Sequence, residues 1–100
     1  MKPTDAIRGK EMDIRRLIEA HGFTEPKLFG SAARGDDHEG SDLDLLATIP
    51  LAMAGKISLF DIAELEDELQ AMVGVRVDFL VSNNMPEHLR QSIEPEMVTL

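Results

Sequence analysis

The chain has 100 residues, 43% of them hydrophobic and 29% charged, and its 19 acidic side chains against 10 basic ones give a formal net charge of −9. That length suits one domain, residues 1–100, around one core, and that balance suits a folded globular chain rather than a disordered one. The acidity, with four phenylalanines as the only aromatics, excludes a surface that neutralises a nucleic-acid backbone; the lack of cysteine excludes disulfides and thiolate metal sites.

The N-terminal "MKPTDAIRGKEMDIRR" lacks the apolar centre of a leader peptide, and no apolar run approaches a membrane span. The cytoplasm is the expected compartment. A first helix is expected over 4–21, with Thr4 as its cap, Ile7, Ile14, Leu17 and Ile18 on one face and Gly22 as its stop. "PKLFG" (26–30) predicts a short strand, "SAAR" (31–34) one helical turn ended by Gly35, and "DDHEGS" (36–41) a loop. "DLDLLATI" (42–49) starts with alternation and turns mostly apolar, as a covered central strand does, and Pro50 closes it.

The strongest helical signal is 58–73. Ser58 and Asp61 resemble a capping box, Gly74 is the expected stop, and Leu59, Ile62, Leu65, Leu69, Met72 and Val73 form the stripe expected to be buried. Phe60 and Phe79 are also expected to be structural, and "ELEDEL" to be a solvated face. "VRVDFLV" (75–81) is a strand. Asn84 is the expected cap of a last helix near 85–93 with Pro86 in its first turn, and "PEMVTL" is a short extended tail. The order α-β-α-β-α-β-α places a helical crossover between strands 42–49 and 75–81, which makes those two strands parallel.

The chemistry concentrates at the start of those strands. Side chains two apart on a strand share a face, so Asp42 and Asp44 point the same way while Leu43 and Leu45 point the other way. Asp78 opens the neighbouring strand at the same edge. Two carboxylates about 6.6 Å apart repel by roughly 2.5 kcal/mol at an effective dielectric near 20, and divalent cations relieve that repulsion. Oxygen-only ligands suit Mg²⁺ or Mn²⁺, and a pair of such ions is the usual device for in-line phosphoryl or nucleotidyl transfer. Upstream, Gly30 permits a sharp turn or a close approach, and Ser31 opens a short helix whose amides and hydroxyl suit an anion. Arg34 can add a charged donor, or can pair instead with Asp36 or Asp37. His21, His38 and His88 have no metal-ligand spacing, and Asn83 and Asn84 can border a nucleobase.

Gly30-Ser31, ten residues, then Asp42-Leu43-Asp44 resembles the signature of the DNA polymerase β-like nucleotidyltransferases. The small size and "LEDELQAMVGVRVDFLV" resemble the minimal nucleotidyltransferases (MNT) within that superfamily, over roughly residues 5–100. The resemblance implies an α/β (α+β) fold with a mixed sheet flanked by helices. It implies that Asp42, Asp44 and Asp78 hold two Mg²⁺ ions, that Asp78 helps deprotonate the attacking hydroxyl, and that Gly30 and Ser31 hold the β- and γ-phosphates of ATP with help from Arg34. It further implies an antitoxin of a HEPN/MNT toxin–antitoxin pair, moving AMP to a tyrosine of a HEPN-domain ribonuclease toxin. Two alternatives stand beside it. One is a non-catalytic nucleotide-binding module that neutralises its partner by contact. The other is a small-molecule nucleotidyltransferase whose acceptor site a partner chain completes.

Overall fold

A computed structural model describes residues 1–100. Its elements in chain order are α1 (Pro3–Ile7), α2 (Glu11–Ala20), β1 (Thr24–Phe29), α3 (Gly30–Arg34), β2 (Leu43–Thr48), α4 (Leu59–Val73), β3 (Val77–Val81), α5 (Glu87–Ile93) and β4 (Val98–Thr99), with short 3₁₀ turns at Leu51–Met53, Ser82–Asn84 and Glu94–Glu96. The four strands form one mixed sheet in the order β3-β2-β1-β4. β2 and β3 run parallel with Leu43 opposite Val77, Asp44 opposite Asp78 and Leu45 opposite Phe79. β1 is antiparallel to both β2 and β4.

The α+β class and the parallel β2–α4–β3 unit are as expected. One face of the sheet carries Leu43, Leu45, Ala47, Val77 and Phe79, packed with Ile14 and Ile18 of α2 and Leu65, Leu69 and Val73 of α4 in a single buried cluster. Phe23 meets Phe79 edge to face, with ring centroids 5.2 Å apart. β2 lies between β1 and β3, which explains its nearly unbroken apolar run. β3 is an edge strand, and α4 closes its open side: Gln70 Oε1 accepts from Val77 N (3.1 Å) and Glu66 Oε2 from Phe79 N (3.0 Å). Glu66 therefore leaves the solvated face assigned to "ELEDEL" and becomes part of the sheet.

Several boundaries differ from expectation. The first helix is two helices, because Gly9 at φ +79° breaks the chain between segments whose apolar residues keep one phase. Lys2, not Thr4, precedes α1, and the Thr4 amide donates to Asp37 Oδ2 at 2.9 Å. α4 starts as predicted, with both halves of the Ser58–Asp61 capping box formed and Gly74 left-handed at its end. Its buried stripe begins only at Leu65, however; Leu59 is 83% and Phe60 86% exposed. Asn84 ends a 3₁₀ turn, and Pro86 is the cap of α5. The extended tail pairs with β1 as a fourth strand. No helix is long and apolar enough to cross a membrane.

Candidate active site

Three strand ends meet at one edge of the sheet: the end of β1 and the starts of β2 and β3. Asp44 lies opposite Phe29 of β1 on one side and opposite Asp78 of β3 on the other. Asp42 precedes it by two residues, and the Leu43 amide donates to the Arg76 carbonyl at 2.8 Å, which holds the two strand starts together. The alternation works as the sequence implied: Leu43 and Leu45 are fully buried while Asp42 and Asp44 are half-exposed and Asp78 is exposed.

Gly30 is fitted to this edge twice over. It has φ +74°, and a Cβ built on it would lie 2.2 Å from Asp44 Oδ2 and 3.2 Å from Asp44 Cβ. Any side chain would demand a strained backbone and displace the carboxylate. The close approach expected of Gly30 is thus made to the acid of its own site. Ser31 follows in α3; its carbonyl accepts from Gly35 and Asp36, and its hydroxyl has no partner within the chain. The loop from α3 to β2 is braced rather than loose. Asp37 is buried and takes the Thr4 amide, which holds its carboxyl below the usual range, and the His38 amide donates to Ser41 Oγ at 3.0 Å.

The Asp42, Asp44 and Asp78 carboxylates accept no hydrogen bond from the protein, whereas seven ion pairs and a set of side-chain hydrogen bonds occupy acids elsewhere. Partial burial, then the charge of Asp78, then that of Asp42, push the Asp44 carboxyl up to about 6, and Arg34 is the only cation that offsets them. Such a cluster is electrostatically unfinished, and its oxygen-only donor set fits a hard divalent cation. No three His, Asp or Glu side chains are gathered at metal-ligand distances.

Arg34 takes the alternative route weighed from the sequence. Its Nε donates to Asp36 Oδ2 (3.1 Å) and its NH1 to Glu96 Oε2 (2.9 Å). Asn83 serves the fold: its amide side chain clasps the Ile49 backbone at both N (2.7 Å) and O (2.9 Å). His21 bridges α2 to Glu68 of α4, and His38 contacts the Glu39 carbonyl. Sequence reasoning passed over Arg76. It precedes Asp78 by two, as Asp42 precedes Asp44, and it lines an open cleft of about 400 Å³ with Ser41 and Asp42. It is the one arginine without a side-chain hydrogen bond or ion pair. The signal available was that same two-residue spacing.

Known proteins share this fold. The model of the nucleotidyltransferase domain matches residues 6–99, so the chain belongs to that family. It is 33% identical over 87 residues to the protein adenylyltransferase MntA of Thermococcus cleftensis, covering 84% of this chain and 81% of that one. A solved minimal nucleotidyltransferase superposes with a TM-score of 0.83 at 32% identity, over 97% of this chain and 95% of the other. A structure of the tri-AMPylated HEPN toxin of Shewanella oneidensis with its MNT antitoxin shares the fold, at a TM-score of 0.69 and 18% identity over 92% of this chain and 69% of that one. The chain is a nucleotidyltransferase, with the mixed four-stranded sheet of the minimal members.

Proposed function

We propose that this nucleotidyltransferase transfers AMP from ATP to a tyrosine hydroxyl of a HEPN-family ribonuclease and thereby silences it, acting as an antitoxin inside the cell. The observation that carries this reading is the edge where Asp42, Asp44 and Asp78 lie side by side with no protein donor while Gly30 is pressed against Asp44. The adenylyltransferase identity of the Thermococcus relative and the HEPN–MNT pairing of the Shewanella complex supply the donor and the partner class.

Asp42, Asp44 and Asp78 would hold two Mg²⁺ ions, with Mn²⁺ as the chemical substitute. When bound, the ions would neutralise phosphate charge and activate the attacking oxygen. The remaining work falls to the chain. Gly30 leaves its backbone open to the β- and γ-phosphates, and Ser31 offers a free hydroxyl beside them. Arg34, already one turn along the same short helix, joins the phosphates by exchanging Glu96 for a phosphate oxygen. Asp78, exposed on the far side of Asp44, takes the proton of the tyrosine hydroxyl. The tyrosine oxygen then bonds the α-phosphorus, the bond to the bridging oxygen breaks, and pyrophosphate leaves.

Incubation with α-labelled ATP, Mg²⁺ and the HEPN protein of the same genome tests this directly. Label is expected on a HEPN tyrosine, with none when Asp42 and Asp44 are both replaced by alanine. If the double variant still neutralises the ribonuclease in cells, contact alone suffices and the catalytic reading fails.

A further inference from the structure

The chain has four phenylalanines. Phe23, Phe29 and Phe79 are buried at 3%, 8% and 5% exposure, whereas Phe60 is 86% exposed beside Leu59 at 83%. Isolated exposed apolar residues are ordinary, but a consecutive Leu-Phe pair in full solvent is not. Nor is the pair on a loose segment. It occupies the first turn of α4, fixed below by the Ser58–Asp61 capping box and above by buried Leu65, Leu69 and Val73. An aromatic held on an ordered turn is preorganised for docking, because little side-chain or backbone freedom remains to be lost.

What lies next to it along the helix states the partner's chemistry. Ala63, Glu64, Asp67 and Ala71 follow Phe60 by three, four, seven and eleven residues and are all exposed. They form one stripe, an apolar tip that runs into an acidic rail. A second copy of this chain is a poor occupant, since each copy carries a net charge of −9 and would bring more acid to an acidic rail. We propose that the first two turns of α4 are the docking surface for the acceptor protein. The occupant is a basic protein surface with an apolar pocket for Phe60 and lysines or arginines facing Glu64 and Asp67. This rests on the reading that the acceptor is a protein. Residues 59–67 lead away from the end of α4 that feeds β3, so docking and chemistry occupy opposite ends of a 15-residue helix, about 22 Å long. Binding should therefore be separable from transfer.

The test measures both. Calorimetric binding of the HEPN protein is compared for the wild type, Phe60→Ala and Glu64→Lys/Asp67→Lys, with label transfer at varied acceptor concentration. Phe60→Ala is expected to weaken binding and raise the acceptor KM by about tenfold or more, with kcat within twofold of wild type. Glu64→Lys/Asp67→Lys is expected to weaken binding chiefly at low salt. Unchanged binding by Phe60→Ala overturns the docking surface. So does a wild-type dimer in sedimentation that Phe60→Ala dissolves, because a second copy would then cover the patch. A wild type that binds the HEPN protein through Phe60 but leaves it unlabelled supports the docking surface and sinks the transfer reading alone.

Discussion

Acidic residues do opposite work in two parts of this molecule. On α4 and in the loop before β2, acids are tied to specific donors: Asp61 takes the Ser58 amide at 2.8 Å, Glu66 the Phe79 amide at 3.0 Å and Asp37 the Thr4 amide at 2.9 Å. The bonds to Asp61 and Asp37 stabilise their charged forms, and both carboxyls sit below their usual range. At the sheet edge the same residue type has no donor. Burial and its two acidic neighbours push Asp44 up instead. The contrast teaches that an acid tied to an amide holds the fold, while acids crowded together without donors carry their charge at a cost that only a cation would relieve.

Replacing the untied acids should therefore cost activity and not structure. Asp42→Asn and Asp44→Asn are each expected to lower AMP transfer by about a thousandfold or more. Circular dichroism spectra should match the wild type. Loss of fold in either variant would break the distinction between the two regions.

Gly30→Ala sharpens it next, because Gly30 joins fold to site. The left-handed backbone and the overlap with Asp44 predict a loss of about 2 kcal/mol or more, on the order of 10 °C in Tm, read by thermal denaturation. Combined with Asp44→Ala, much of the overlap penalty should disappear, since Oδ2 and Cγ are two of the three atoms met by the new Cβ.

These two variants concern what was legible in the sequence. Gly30, Asp42, Asp44 and Asp78 announce themselves because strand alternation and parallel pairing are local or near-local rules, and the Asp44–Asp78 register follows from the helical crossover between their strands. Other features depend on distant partners. Lys27 pairs with Thr99 from 72 residues away, and Asp37 finds Thr4 from 33 residues away. The break at Gly9 is hidden because the apolar phase continues across it. Leu59 fits the helical stripe by spacing, yet burial starts farther along the helix, and periodicity cannot say where a helix outruns the sheet beneath it.

On the tied side of the comparison, Glu66→Ala strips the amide of Phe79 of its partner on an edge strand. The expected cost is about 1 kcal/mol, or roughly 4–8 °C in Tm, with transfer reduced less than threefold. Glu66→Gln keeps an acceptor oxygen and should recover most of the loss. A thousandfold loss of transfer in Glu66→Ala would erase the boundary between the two kinds of acid.

The smallest effect is the most discriminating, because the two regions should titrate with opposite sign. Asp44 has its folded value raised to about 6, above an unfolded value of about 3.9, so the folded state holds its proton longer. Stability of the ion-free chain should fall as pH rises from about 4 to about 6, by about 1 kcal/mol once solvent screening of a part-exposed group is allowed for. Asp44→Asn removes that slope and should raise the ion-free Tm at pH 7.5 by a few degrees, while abolishing transfer. Asp37, with its folded value lowered, contributes stability present above about pH 4 and lost as pH falls through its folded value. Asp37→Asn should therefore flatten the acid limb and lower stability at neutral pH, where the Asp37 contribution is fully present. Added Mg²⁺ should raise the wild-type Tm at pH 7.5 and do less for Asp44→Asn, because it neutralises the charge that the substitution has already removed. Equal Mg²⁺ responses in the two proteins would mean that the crowded carboxylates are not where the ion goes.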